Sequence, residues 1–499
     1  MTDTKAYITD LGIAVAGSVD SGKSTFVGVL TSGKLDDGDG SARVGVAKHP
    51  HEVQAKKTSD ISTKAVITKN NKAITLFDLC GHDKYFKTTA YGISGHYPDY
   101  GFVIIGANKG ILPMTKQHVT TLLSMNIPIV FIVTRYDITP QNIYAETIKM
   151  INTYCKNIVK LPAEFINSPF NELHNEQSYK EDKLKYINNV CFFENNRQIA
   201  VPIITVSNKN GYYIDFIHDV LSILKPRDPW KNFDEDTSKQ IEERCTNRVI
   251  KKFLTNMDKN IFANSSNNTD HVFFVDTIYN PIGIGLVITG INRGGTINVG
   301  DTFYLGPFGK EFKEIRIKSM NNYVKQKITS ADSHHRITIA VGTTDKEVNK
   351  HTVRKGMVLL KSKELIKKYL TFNFNAVITL FSHSATLKNG YTPSLQIGNV
   401  RQSARMILNK DLNSDKDHLK IKEFAIVSFK FKQRPEYIEP NQTFIFRSGC
   451  VHGVGVITSV LPIGMDPDAK PDPARKCKIS IKSMKSMRTM KPIKSIQNI

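Results

Sequence analysis

The chain of 499 residues lacks the features that mark several protein classes. Its six cysteines are scattered: Cys80, Cys155, Cys191, Cys245, Cys450 and Cys477. No two of them form a Cys-x-x-Cys pair, which argues against a disulfide framework and indicates reduced thiols in a cytosol-like compartment. No apolar run approaches about 18 residues and no signal peptide opens the chain, so we expect a cytoplasmic protein that is neither secreted nor membrane-spanning.

Acidic residues are scarce relative to basic ones. The chain has 46 Asp and Glu against 68 Lys and Arg, which gives a formal net charge of +22. Residues 474–499 contain lysine and arginine but no acid, yet the excess is too large to come from them alone. A polyanionic partner such as RNA or the ribosome explains this charge. A genome bias toward Lys, Asn and Ile is the alternative.

A phosphate-binding motif stands near the start of the chain. The apolar run Leu11–Ala16 predicts a strand, and it leads directly into Gly17, Ser18, Val19, Asp20, Ser21, Gly22, Lys23 and Ser24. This is a complete G-x-x-x-x-G-K-[ST] loop, whose backbone N–H groups and following helix, predicted over Thr25–Leu30, face the phosphates of a nucleotide. Lys23 is expected to reach the β- and γ-phosphates, and the Ser24 hydroxyl to bind Mg²⁺.

A second motif follows the apolar run Ala73–Phe77. It reads Asp78-Leu79-Cys80-Gly81, an Asp-x-x-Gly at a predicted strand end. Asp78 is expected to hold Mg²⁺ through water, and the Gly81 N–H to meet the γ-phosphate. His82 follows at the place where GTPases carry a water-orienting group. A solvated loop histidine is the alternative at that position.

Two further segments indicate guanine as the base. The run Ile127–Val133 leads into Thr134-Arg135-Tyr136-Asp137, where Asp137 can accept hydrogen bonds from guanine N1–H and the N2 amino group. Adenine cannot offer that pair of donors. Ser207-Asn208-Lys209 follows the next apolar run, Val201–Val206, and its backbone N–H groups are placed to meet guanine O6.

The order of predicted elements gives the architecture. Strands and helices alternate from residue 11 to 224, which predicts an α/β domain with phosphate chemistry at the carboxyl ends of its strands. From residue 271 onward, short β-branched and aromatic runs with glycine turns predict two small β-barrels. The predicted parts are a GTP-binding domain at 1–226, a linker at 227–270, barrels at 271–365 and 370–462, and a basic, disordered tail at 463–499.

This combination of a P-loop GTPase domain and two barrels resembles the elongation factor Tu / elongation factor 1-alpha superfamily. In finer detail it resembles the GTP-binding protein 1 and 2 subfamily, and the similarity runs from about residue 11 to 462. The stretches that carry the finer match are 48–52, 57–59, 81–89, 110–116, 398–404 and 434–437.

The resemblance implies roles for further residues. It makes Thr58 the switch threonine that binds Mg²⁺ in the GTP state, and His82 the water-positioning residue, with Asp20 and Lys23 in the catalytic set. Thr134 matches the threonine that the subfamily uses where other GTPases have asparagine. Arg135 stands where lysine is usual, and its planar guanidinium can stack on the base instead. The turn at 446–453 lacks two basic residues that the subfamily usually shows.

We therefore expect a monomeric GTPase that uses GTP, GDP and Mg²⁺ and acts in translation or ribosome-linked RNA surveillance. The resemblance implies the ribosome and tRNA or another RNA as partners. Two alternatives stay open: a regulatory nucleotide-binding module with little hydrolysis, and a sulfate-activating GTPase subunit. The expected GTP and Mg²⁺ ligands are Gly17, Ser18, Val19, Asp20, Ser21, Gly22, Lys23, Ser24, Thr25, Thr58, Asp78, Gly81, Thr134, Arg135, Asp137, Ser207, Asn208 and Lys209.

Overall fold

The computed structural model describes most of the chain. The described residues are 8–47, 52, 58–170, 180–191, 198–227, 271–380, 387–408, 418–419, 424–448 and 451–463. The predicted tail beyond residue 463 and nearly all of the predicted linker lie outside them, as do parts of the stretches at 48–52, 57–59 and 446–453.

The N-terminal part is built on a seven-stranded sheet. Its strands are β1 (Ile8–Gly17), β2 (Ser62–Ile67), β3 (Lys72–Asp78), β4 (Tyr100–Gly106), β5 (Ile129–Thr134), β6 (Ala163–Phe165) and β7 (Val201–Thr205). The order across the sheet is β2-β3-β1-β4-β5-β7-β6, and only β2 runs antiparallel to its neighbour. Strands β4 and β5 are buried at every residue. Such continuous apolar runs are typical of parallel strands covered on both faces.

Helices cover the two faces of this sheet. They are α1 (Lys23–Ser32), α2 (Ser41–Val44), α3 (Phe86–Gly95), α4 (Pro113–Ser124), α5 (Gln141–Tyr154), α6 (Lys180–Cys191) and α7 (Ile214–Ile223). One core contains Phe26 of α1 and Ile217 of α7, and the other contains Ile93 of α3, Val119 of α4 and Ile151 of α5. The parallel strands bring their carboxyl ends to one edge, where ligands bind in open α/β sheets.

The next part is a closed barrel. Its strands are β8 (Val272–Tyr279), β9 (Val287–Arg293), β10 (Ile297–Asn298), β11 (Thr302–Phe308), β12 (Glu311–Asn322), β13 (Lys327–Ile328), β14 (Ser330–Ala331), β15 (Arg336–Gly342) and β16 (Val358–Leu360). Six of them pair in the order β11-β16-β8-β9-β15-β12, and β12 pairs back to β11. Strand β9 begins at Val287, after a turn in which Gly283 and Gly285 have positive φ (81° and 88°).

A second barrel follows α8 (Lys363–Tyr369), a helix that the sequence reading does not foresee. The strands are β17 (Leu370–Leu380), β18 (Leu387–Lys388), β19 (Ser394–Ile397), β20 (Val400–Leu408), β21 (His418–Leu419), β22 (Phe424–Phe431), β23 (Glu436–Tyr437), β24 (Thr443–Ser448) and β25 (Val451–Pro462). Six of them close in the order β22-β20-β19-β24-β25-β17. The predicted fold class, an α/β P-loop domain followed by two small barrels, is confirmed.

Polar contacts join the α/β domain to the first barrel. Asp276 of β8 accepts hydrogen bonds from the Tyr91 hydroxyl at 2.7 Å and from His96 Nδ1 at 3.0 Å. Arg336 of β15 donates to the Tyr97 carbonyl at 2.8 Å. These groups are mostly buried, so their hydrogen bonds fix the two parts against each other.

Arg227, which the sequence reading assigns to the linker, packs against the α/β domain. It is 3% exposed, and its backbone N–H donates to Asp99 Oδ1 at 2.8 Å. Among the described residues, no helix is long and apolar enough to cross a membrane.

Candidate nucleotide-binding site

The predicted phosphate loop lies between β1 and α1. Gly17 has φ 139°, and a Cβ on it would lie 2.4 Å from the carbonyl oxygen of Ile104, so only glycine fits there. The Ser21 hydroxyl donates to the Ser18 carbonyl at 2.9 Å and helps to close the loop. The helix begins at Lys23, two residues before the predicted start at Thr25.

Lys23 is buried inside this loop. Its Nζ donates to the Ser18 carbonyl at 2.7 Å. Burial lowers the pKa of Lys23, although the nearby Asp78 carboxylate acts in the opposite direction. Gly81 of the Asp-x-x-Gly motif lies directly beside it, since a Cβ on Gly81 would be 2.4 Å from Lys23 Nζ and 2.9 Å from the backbone nitrogen of Val19. The two phosphate-facing motifs are therefore in contact.

Three oxygen-bearing side chains from three segments meet next to Lys23. The Ser24 hydroxyl donates to Asp78 Oδ2 at 2.6 Å and lies 3.0 Å from the Thr58 hydroxyl. Asp78 Oδ1 is buried and has no hydrogen-bond partner in the described part of the chain. Burial raises the pKa of Asp78 to about 6, even though Lys23 opposes that shift.

This donor set fits Mg²⁺. Magnesium prefers oxygen ligands and is usually held in nucleotide sites by one or two carboxylates together with substrate phosphates and water. The described residues contain no group of three or more His, Cys, Asp or Glu that could hold a metal without a nucleotide. Glu52 holds the segment that follows Thr58. Its Oε1 accepts hydrogen bonds from the backbone nitrogens of Ser59 at 2.6 Å and Asp60 at 3.1 Å.

His82 stands at the rim of the loop. Its Nδ1 accepts a hydrogen bond from the backbone N–H of Lys84 at 3.1 Å. This bond caps the N-terminus of the short 3-10 helix Asp83–Tyr85. The imidazole is partly exposed. His82 lines one cavity together with most of the predicted phosphate and Mg²⁺ ligands, with Arg135 of the base-reading segment and with Arg43, which was not predicted. The predicted phosphate and Mg²⁺ ligands in it are Val19, Asp20, Gly22, Lys23, Ser24, Thr25, Thr58 and Gly81.

Asp20 has a special backbone geometry. Its φ is 58°, in the left-handed region that non-glycine residues rarely adopt. Its side chain is 54% exposed, and its Oδ2 lies 3.5 Å from Lys109 Nζ. Asp20 also lines the cavity that contains Lys23 and His82.

The predicted base-reading segments lie beside the phosphate loop. Thr134 at the end of β5 is buried, and its hydroxyl donates to the Ser21 carbonyl at 2.7 Å. Arg135 has φ 63°, and Asp137 is exposed in the short 3-10 helix Tyr136–Ile138. Thr134 thus links the base-reading segment directly to the phosphate loop.

The loop at 207–209 completes this side of the site. The Ser207 hydroxyl accepts from the backbone nitrogen of Lys209 at 3.2 Å, and the Asn208 carbonyl accepts from the backbone nitrogen of Asp36 at 2.9 Å. Asn210 Nδ2 donates to the Tyr136 hydroxyl at 3.1 Å, which ties this loop to the segment bearing Asp137. The sequence-predicted ligands are thus gathered along one edge of the sheet.

Two residues at the site were not predicted from the sequence. His118 of α4 accepts the Gly17 N–H through Nδ1 at 3.0 Å, and burial, with Lys23 nearby, lowers its pKa to about 3. It is therefore neutral at pH 7. Arg43 of α2 lines the cavity together with Thr58 and His82. Neither residue belongs to a motif of its own, so the sequence offers no signal for either.

Comparison with known proteins shows the family to which this chain belongs. Residues 10–278 match the family described as "Elongation factor Tu GTP binding domain". GTP-binding protein 1 of Xenopus laevis is 29% identical over 480 residues, which cover 91% of this chain and 64% of that protein. Elongation factor 1-alpha of Methanosphaera stadtmanae is 23% identical over 86% of this chain and 91% of its own length.

Among solved structures, a bacterial selenocysteine-specific elongation factor EF-Sec superposes with a TM-score of 0.58. Its sequence identity is 16%, and the match covers 91% of this chain and 58% of that one. This chain thus spans somewhat less than two thirds of the length of both that factor and the Xenopus protein. The family match covers more than half of the chain, and the resemblance to the elongation factor superfamily is confirmed. The chain belongs to the elongation factor Tu GTP-binding domain family.

Proposed function

We propose that this protein binds GTP with Mg²⁺ and hydrolyses it to GDP and phosphate, as an elongation-factor-like GTPase in translation or ribosome-linked RNA surveillance. The observation that carries the proposal is the meeting of Ser24, Thr58 and Asp78 beside Lys23. Three segments distant in sequence supply the ligands that a GTPase needs for Mg²⁺ and the terminal phosphate.

The phosphates are held by the loop from Gly17 to Ser24 and by Thr25, which follows it. Its backbone N–H groups and the N-terminus of α1 carry partial positive charge, and Lys23 adds a full charge at the β- and γ-phosphates. Ser24, Thr58 and Asp78 would hold Mg²⁺ here. The ion would supply positive charge at the phosphate oxygens.

Hydrolysis depends on the rim of the cavity. His82 orients the attacking water toward the γ-phosphorus, and Asp20 lies on the same rim. Attack forms a new P–O bond and breaks the bond from the γ-phosphorus to the bridging oxygen, which leaves with GDP. Thr58 and Gly81 both face the γ-phosphate, so its loss releases the segments that carry them.

Guanine selection rests on the neighbouring loops. Asp137 accepts hydrogen bonds from N1–H and the N2 amino group, and Arg135 stacks on the base plane. Ser207, Asn208 and Lys209 meet O6. Thr134 holds this side of the pocket against the phosphate loop through its bond to Ser21.

The net charge of +22 and the elongation factors among the relatives support the ribosome and tRNA or another RNA as partners of a cytoplasmic monomer. The relatives and structures reported above do not favour a sulfate-activating subunit or a regulatory module with little hydrolysis.

Cosedimentation of the full chain with ribosomes tests this proposal. We expect the protein to pellet with ribosomes when a non-hydrolysable GTP analogue is bound, and to stay mostly in the supernatant with GDP. Protein that ignores ribosomes in both nucleotide states would remove the translational role.

A further inference from the structure

Arg43 reaches the phosphate pocket because the segment before α2 is tightly held. Asp36 Oδ1 accepts the backbone N–H of Ala42 at 3.0 Å, and the Asp36 N–H donates to the Asn208 carbonyl. Asp37 Oδ1 accepts the N–H of Asp39 at 2.8 Å. These carboxylates fix the turns that lead into α2.

Helix α2 also lies very close to α1. A Cβ on Gly28 of α1 would be only 2.0 Å from the carbonyl oxygen of Ala42, so a glycine is required at the crossing. Beyond α2, the Ser62 hydroxyl donates to the Val46 carbonyl at 2.6 Å and anchors the segment to β2. Arg43 is therefore presented from a segment fixed at both ends.

Arg43 lines the same cavity as Lys23, Thr58, Gly81 and His82. Arg43 and Lys23 act on each other as like charges. Arg43 and Lys23 thus place two positive charges in one partly buried pocket, which Asp20 also lines, and an anion that enters the pocket is attracted by both. Thr58, Gly81 and His82 in this cavity are proposed to face the terminal phosphate, and Arg135 at its other side is proposed to stack on the base.

Resting on the proposed function, we infer that Arg43 is a phosphate-contacting residue that binds the terminal phosphoryl group from within the same chain. A guanidinium offers paired N–H donors that match phosphate oxygens. In other GTPases an arginine, supplied in cis or by a partner protein, stabilises the charge of the transferring phosphoryl group. Arg43 supplies that charge in addition to Lys23.

The test compares nucleotide states that differ only at the γ-position. The full chain carries Arg43→Ala, Arg43→Gln or, as a matched control, Lys34→Ala, which removes an exposed positive charge from the same segment away from the cavity. Fluorescent GDP gives the diphosphate affinity. GDP with aluminium fluoride mimics the transferring phosphoryl group, and single-turnover GTP hydrolysis gives the rate.

For Arg43→Ala we expect GDP affinity within about threefold of the unaltered protein, and loss of the GDP–aluminium fluoride complex by about 100-fold or more, with a similar fall in hydrolysis. Lys34→Ala should match the unaltered protein in all three measurements. Retained GDP affinity shows that the variant is folded. If Arg43→Ala no longer binds GDP, the affinities for GDP and for GDP with aluminium fluoride are compared in Arg43→Gln instead, and that comparison tests the inference.

Two results overturn the inference. Arg43 variants that form the aluminium fluoride complex as well as the unaltered protein would show that Arg43 makes no contact with the terminal phosphoryl group. Equal losses for GDP and for the fluoride complex, seen in both variants, would assign Arg43 to the whole loop rather than to the terminal phosphate. Failure of the unaltered protein to bind GTP would instead refute the proposed function.

Discussion

The hydroxyl of Ser24 donates a 2.6 Å hydrogen bond to the carboxylate of Asp78, although the two residues are 54 positions apart in sequence. Ser24 is the last residue of the phosphate loop, and Asp78 ends β3. The bond joins the two segments that a GTPase must place around its magnesium ion. Charge-assisted bonds of this type are stronger than neutral ones, so the site is largely assembled by the protein itself.

Base choice gives the first prediction. Asp137→Asn should shift preference from guanine to xanthine nucleotides, because the new amide can donate to the xanthine O2. Competition of GTP, XTP and ATP against fluorescent GDP measures the change. Asp215→Asn, an exposed carboxylate on α7, serves as the control and should leave guanine preference intact. An Asp137 variant that still prefers guanine would exclude Asp137 as the base reader.

His118 gives a prediction on stability and pH. Replacement by Leu leaves the buried Gly17 N–H without its acceptor, which should cost about 1–3 kcal/mol of unfolding free energy. His118→Gln can restore the bond. Both variants are compared by urea unfolding, and equal stability of all three proteins would show that the Gly17 contact is unimportant.

The pH dependence of that stability follows from the lowered pKa of His118. Burial lowers it to about 3, below the ordinary value near 6.5 that applies to the unfolded chain. Between these values the unfolded state binds more protons, so the contribution of neutral His118 is present above about pH 6.5 and declines as pH falls toward 3. His118→Gln should lose less stability than the unaltered protein between pH 6.5 and 5. Parallel pH profiles would contradict this.

The contact between the α/β domain and the first barrel gives another prediction. Burial raises the pKa of Asp276, but His96 and the Tyr91 hydroxyl outweigh that effect and lower it to about 2. Asp276→Ala leaves both donors without their acceptor, so we expect the midpoint of thermal unfolding to fall, or the two parts to unfold separately. Calorimetry measures the unfolding midpoint and shows whether the two parts unfold in one transition or two. An unchanged single transition would show that this contact is dispensable. Glu314→Gln, an exposed carboxylate of the same barrel, is the control.

The basic C-terminal segment gives a prediction on RNA binding. Removing 474–499 should weaken binding to ribosomes and reduce its salt dependence, because each neutralised phosphate releases counterions. GTP affinity should not change, since no proposed nucleotide ligand lies there. Equal affinity and equal salt slope before and after truncation would show that this segment does not contact the polyanion.

The sequence predicts much of this architecture because its strongest patterns are local. Strand β1 and the phosphate loop are contiguous, and β7 (Val201–Thr205) matches the predicted run Val201–Val206 to within one residue. Arg43 could not be found this way, because its position depends on Asp36 bonding to Asn208, a contact that crosses 172 residues. His118 is hidden for a similar reason, since its side chain meets Gly17 only after α4 packs against β1.

Ribosome-stimulated GTP hydrolysis tests the central claim most directly. The single-turnover rate is measured with the full chain and with His82→Ala, both with and without ribosomes, after fluorescent GDP has shown equal nucleotide affinity. The proposed function predicts that ribosomes accelerate hydrolysis by the unaltered protein and that His82→Ala loses about 100-fold or more of the stimulated rate. A protein whose GTP turnover ribosomes do not change, or a His82→Ala variant with the full stimulated rate, would contradict it.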